Sequence, residues 1–125
     1  MTDTVDHYRR QTKDEHSLQV LILRHLHMAK RDKDTIAFAI PNAGRRSLRM
    51  GAKMKAEGMT KGAPDLCILL PKGRTGWIEC KTMKGRQSDE QMGFEARCKR
   101  LGHYYALVRN IDEALDALHA MGAIK

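Results

Sequence analysis

The sequence predicts an α/β domain, a mixed β-sheet flanked by helices in the order α-β-α-β-β-α-β-α. Three observations carry this reading. Apolar residues recur every three or four positions over residues 13–31, the period of one helix face. Two strand-length stretches, 65–70 and 76–81, are separated by a Pro71-Lys72-Gly73-Arg74 turn. Beyond them, two capped helical stretches enclose a short strand.

Residues 1–12 read as a loose polar lead-in. The first helix, 13–31, is built on Leu18, Ile22, Leu26 and Ala29, with Val20, Leu21 and Leu23 outside that stripe. Ile36-Ala-Phe-Ala-Ile40 is a short strand, ended by Pro41 and an Asn42-Ala43-Gly44 turn. A basic, Met-containing helix over 47–57 stops at Gly58. Leu66-Cys67-Ile68-Leu69-Leu70 is continuously apolar, which suits a strand buried on both faces. Ser88 opens a helix whose stripe is Phe94, Cys98 and Leu101, closed by Gly102; residues 103–108 form a strand. Asn110, with Glu113 three residues later, caps a last helix running to about residue 121.

At 125 residues the chain is one domain, 1–125, large enough for a core without disulfides. The 23 Lys and Arg against 15 Asp and Glu give a net charge of +8, a balance suited to a polyanionic partner. The apolar stretch around Leu18 is interrupted by Arg24 and His25, so no segment reaches the roughly 20 apolar residues that span a bilayer. The opening Met-Thr-Asp-Thr-Val-Asp-His has no basic region before an apolar one, so an intracellular, cytoplasmic location is expected. Cys67, Cys80 and Cys98 lack C-x-x-C spacing and read as small buried hydrophobes; the six histidines make no zinc pattern with them.

The chemistry concentrates between Gly62 and Lys81. Glu79 and Lys81 lie two residues apart and leave a strand on the same face. A turn centred near Gly73 sets residue 67 opposite 79 and 65 opposite 81, which brings Asp65 to that face too. Two converging carboxylates can hold a hard divalent cation, and a neighbouring ammonium can offset charge on a phosphate. An isolated E-x-K is ordinarily a solvated charge ladder; the upstream Pro64-Asp65 and the apolar strands around it set this one apart. Trp77 shares the face by parity and reads as a packing residue.

The ordered set Gly62-Ala-Pro64-Asp65, Glu79-Cys80-Lys81 and Ser88-Asp89-Glu90-Gln91 resembles the VRR-NUC branch of the PD-(D/E)xK nucleases. Pro41-Asn42-Ala43-Gly44-Arg45-Arg46 resembles that family's loop after the first strand, and Glu15 its N-terminal acidic residue. The likeness runs from about residue 14 to 115 and is to stand-alone, phage- or bacterial-type members; Cys80 stands where a larger apolar residue is usual. It implies a restriction-endonuclease-like fold and a catalytic set of Asp65, Glu79, Lys81, Gln91 and Glu15. Mg²⁺, with Mn²⁺ substituting, would be held by Asp65, Glu79, the Cys80 backbone carbonyl and Glu15, directly or through water. Thr12-x-x-Glu15 and Ser88-x-x-Gln91 are also capping boxes on paper, so Glu15 and Gln91 have a structural reading as well. In the functional one, Gln91 orients Lys81 or a water.

Asn42, Arg45, Arg46, Arg49, Lys53, Lys55 and Lys61 form the expected DNA-backbone surface, with Lys72, Arg74, Lys84 and Arg86 flanking the site strands. The function expected is magnesium-dependent cleavage of branched DNA, a flap or a four-way (Holliday) junction, by a homodimer joined through Val20, Leu21 and Leu23. The alternatives are a sequence-specific restriction-type enzyme and a non-catalytic nucleic-acid-binding module.

Overall fold

The computed structural model describes residues 14–41 and 48–125. Its elements follow the expected order: α1 Glu15–Met28, β1 Ile36–Ala39, α2 Leu48–Ala56, β2 Leu66–Leu69, β3 Thr75–Cys80, α3 Asp89–Leu101, β4 Tyr104–Val108 and α4 Ile111–Ala120. The sheet runs β1-β2-β3-β4, antiparallel across the first two pairings and parallel between β3 and β4. The parallel pair needs a crossover, which α3 supplies.

The first helix starts later than expected because Asp14 is its cap, its carboxylate accepting the Ser17 N–H at 2.6 Å. Thr12 lies outside the described residues, and Glu15 is the helix's first residue, not the third member of a capping box. The helix ends at Met28, short of residue 31. Arg31 Nη1 instead donates to the carbonyls of Leu26 (3.1 Å) and His27 (2.9 Å), two of the acceptors a helix leaves open at its C-terminus.

The β2–β3 hairpin turns through Pro71–Gly73, where Lys72 itself takes a left-handed φ of 64°. That moves the centre of the turn back by one residue. The register is Leu66 opposite Ile78 and Leu69 opposite Thr75, so Asp65 falls beside Glu79 and not opposite Lys81. The expected pairing is thus corrected by two residues on one strand. A two-residue slip preserves which face every side chain occupies.

One face of the sheet, with Leu66, Ile68, Ile78, Cys80 and Val108, packs against Leu18, Leu21, Ile22 and Leu26 of α1 and Ile111, Ala114 and Leu118 of α4. Leu21 therefore belongs to the core and not to an outer surface. On the opposite face Trp77 meets Phe94 of α3 edge to face, with centroids 5.2 Å apart at 72°. Two other expectations fail at the margins. Leu69 is 47% exposed although β2 is a central strand, and Leu101 is 74% exposed because the apolar stripe of α3 stops at Cys98. The three cysteines are buried and free.

Candidate active site

Asp65 ends the Gly62-to-Pro64 approach to β2, and Glu79 is the penultimate residue of β3; both are buried. Asp65 Oδ2 accepts the Cys80 N–H at 2.7 Å. The ladder between β2 and β3 begins only at Leu66, opposite Ile78, so this carboxylate takes the place of a strand partner. In an extended residue the N–H and C=O leave on the same edge, which turns the Cys80 carbonyl toward Asp65 as well. Asp65 also lies within hydrogen-bonding reach of Glu79.

Burial, then the charge of Asp65, pushes the Glu79 carboxyl up to about 8, with Lys81 opposing the shift. Two carboxylates in one desolvated place cannot both ionise without a compensating charge. Glu79 Oε1 accepts from Gln91 Nε2 at 3.0 Å, whereas Glu79 Oε2 is buried with no protein hydrogen-bond partner. An orphaned, buried carboxylate oxygen beside a second carboxylate fits a hard divalent cation with oxygen ligands. Among the described residues no three His, Cys, Asp or Glu side chains form a metal-holding group.

Lys81 Nζ is 3.9 Å from Glu79 Oε1 and 3.9 Å from Glu15 Oε1, and its side chain is only 12% exposed. Its backbone N–H bonds the Val108 carbonyl at 3.0 Å, continuing the β3–β4 pairing past Cys80. Glu15, 46% exposed at the start of α1, reaches the site through Lys81. Gln91 binds Glu79 and not Lys81, which corrects one of its two expected partners. It also makes the expected cap: Ser88 Oγ accepts the Gln91 N–H at 3.2 Å, and Gln91 Oε1 accepts the Ser88 N–H at 2.8 Å. The Cys80 thiol is pushed up by burial and then by Asp65 and Glu79, so it stays protonated. Tyr105, raised by burial and by Glu79, does the same.

The expected DNA surface is only partly visible. Asn42, Arg45 and Arg46 lie outside the described residues, as does the side chain of Arg49. Lys53 and Lys55 are exposed on α2, and Lys61 pairs with Glu90 at 3.3 Å. Lys72 and Arg74 sit at the hairpin turn, the far end of β2 and β3 from the carboxylates. Arg74 is occupied there, donating to the Pro71 carbonyl at 3.0 Å and lying over the Tyr104 ring. Lys84 and Arg86 are exposed on the turn that follows Lys81.

Sequence reasoning missed three supports. Arg109 Nη1 donates to the carbonyls of Thr82 (2.6 Å) and Gly85 (2.7 Å), fastening that turn. Gln87 Nε2 bridges Glu95 and Tyr105, each at 3.1 Å. Gly62, at φ +88°, lies so close to α3 that a Cβ would stand 2.5 Å from the Glu90 carbonyl carbon. Only the last had a signal, a glycine three residues before the site aspartate.

Among solved structures similar to this fold is a VRR_NUC domain protein, with a TM-score of 0.71 and 19% identity over 86% of this chain and 86% of that one. Another is a VRR_NUC domain with a TM-score of 0.57 and 19% identity, over 85% of this chain and 94% of that one. No protein-family model and no curated protein matches the sequence. The likeness is one of fold: the restriction-endonuclease-like α/β architecture.

Proposed function

We propose that this chain, which has the fold of VRR_NUC domain structures, is a VRR-NUC-type nuclease: a magnesium-dependent, structure-selective DNA endonuclease. The observation that carries the reading is the buried Asp65–Glu79 pair beside Lys81, with one Glu79 oxygen left unpartnered. Asp65, Glu79 and the Cys80 carbonyl would hold the cation, and manganese would substitute because it accepts the same oxygen ligands. When bound, the ion supplies Lewis acidity toward a phosphate oxygen and lowers the pKa of a water.

The remaining work falls to the chain's own side chains. Gln91 fixes Glu79 through one oxygen and leaves the other for the cation. The nearly buried Lys81 ammonium offsets negative charge that builds on the phosphate, an effect strengthened where water is excluded. Glu15 steadies that ammonium from the solvent side. Lys53, Lys61 and the arginines at 45, 46 and 49 hold the DNA by its phosphates, which favours recognition by shape over sequence.

A four-way junction has two-fold symmetry, so paired cuts call for a symmetric homodimer. With Leu21 in the core, the surface proposed for that contact is the cleft of about 540 Å³ between α1 and β1, lined by Val20, Leu23, Met28 and Ile36 with Arg24, His27 and Arg31 beside them. Labelled duplex, flap and four-way junction incubated with Mg²⁺, Mn²⁺ or EDTA test the function. Metal-dependent cutting of a branched substrate, abolished in Asp65→Ala and Glu79→Ala, is the expected result; wild-type-like cutting by either variant would overturn it. Light scattering tests assembly, since a dimer doubles the 14.2 kDa mass.

A further inference from the structure

We infer that the cleft beside Trp77 is a pocket for one unpaired nucleobase of the strand being cut. The inference rests on the nuclease reading of the neighbouring carboxylates. The cleft has a volume of about 270 Å³ and is walled by Ile40, Pro41, Met59, Thr60, Trp77 and Phe94. It lies on the sheet face that carries Glu79, opposite the main core. Gly58 also borders it, and among the described residues a Cβ there would meet nothing within 4 Å.

Size and chemistry select the occupant. Ligand pockets for drug-sized molecules begin at roughly 300 Å³, so this cleft suits a single planar ring. Among the described residues its walls are two aromatic rings, a thioether and aliphatic groups, with the Thr60 hydroxyl and the Trp77 indole N–H as polar groups and no charged side chain. A base offers an apolar face to stack on an aromatic ring, whatever its sequence.

Position points the same way. Trp77 is two strand residues from Glu79, roughly 6.8 Å along β3. Stacked nucleotides rise about 3.4 Å each, so a base one or two nucleotides from a phosphate at the carboxylates reaches the cleft. Lys61, next in sequence to the rim residue Thr60, is exposed in a surface pair with Glu90 and would hold a flanking phosphate. A paired base must first leave its stack, and an unpaired one at a flap or branch need not, which makes the pocket a source of preference for branched DNA.

Trp77 is the single tryptophan, so its emission reports on the cleft directly. The full chain is titrated in EDTA with flap and junction oligonucleotides, with binding followed in parallel by anisotropy of a labelled strand. Quenching is expected with unpaired bases, and abasic sites at those nucleotides should remove the quench while DNA still binds. Trp77→Leu should weaken flap binding about tenfold and Trp77→Phe should restore most of it. DNA that binds and is cut with Mg²⁺ while Trp77 emission stays unchanged, or responds equally to abasic DNA, overturns the pocket alone. Emission that changes only with protein concentration assigns the cleft to a second copy and also overturns it. DNA that neither binds nor is cut removes the nuclease reading as well.

Discussion

The amide of Gln91 is divided between two partners, its oxygen accepting the Ser88 N–H and its nitrogen donating to Glu79. A backbone donor on one side and a carboxylate on the other leave the group one orientation. The sequence suggested both a cap and an inward-facing polar group at this position, and the structure satisfies both with opposite ends of one side chain. The expected partner was Lys81 or a water; Glu79 shares a strand face with Lys81 and takes the bond instead. Gln91→Ala should cost about 1–3 kcal/mol in urea unfolding and reduce cleavage about 10- to 100-fold. Glu79 allows a sharper test. Folded, it keeps its proton to about pH 8, against an ordinary value of 4.5, so between these values the folded state binds more protons than the unfolded one. Its stabilising contribution is complete below the lower value and is lost as pH rises through the upper one, by an amount on the order of a few kcal/mol. In EDTA the melting temperature should therefore fall between pH 5 and 9 more steeply for the wild type than for Glu79→Gln. Magnesium should raise the wild-type melting temperature most at the alkaline end and leave the variant unmoved.

At the level of elements, strand and helix order was legible because the two periods differ and because Ser88, Gly102 and Asn110 punctuate them. Hairpin register was not, since Lys72 adopts a backbone conformation usually left to glycine and nothing in its identity announces that. Arg109 was invisible for another reason: its acceptors lie 24 and 27 residues back, and no local pattern links them. Gly62 joins the aspartate approach to the first turn of α3, backbone against backbone. Gly58 provides its control, with a comparable φ of +100° and open space around it. Gly58→Ala should cost only the left-handed backbone penalty, about 1–2 kcal/mol. Gly62→Ala should cost more in the same urea titration, and it should also lower activity by displacing Gln91 from Glu79.

For the molecule as a whole, the net charge of +8 was the broadest legible feature, and it bears on partners more than on fold. What composition could not reveal was which cations are already engaged. Arg74 and Arg109 are held by internal partners, whereas Lys53, Lys55, Lys84 and Arg86 stand exposed and Lys61 is exposed in a surface pair with Glu90. DNA affinity should fall steeply with salt, each phosphate contact adding about −0.9 to the slope of log K against log salt. Replacing Arg45, Arg46 and Arg49 together should flatten that slope, and scrambling the DNA sequence should leave it unchanged. A slope that survives the triple replacement would assign the DNA surface to other residues.

The β2–β3 hairpin also bears on how the protein reaches its native state. Its strands are joined by a short turn, whereas the parallel β3–β4 pairing must wait for α3 to cross the sheet. Short closures cost less chain entropy than long ones, so the hairpin is the sheet pairing favoured to form first. Asp65 and Glu79 then meet before Gln91 can brace them. Their mutual repulsion at alkaline pH accordingly weighs on the rate of folding more than on the rate of unfolding. In stopped-flow refolding above pH 8, magnesium should accelerate the folding limb and leave the unfolding limb nearly where it was.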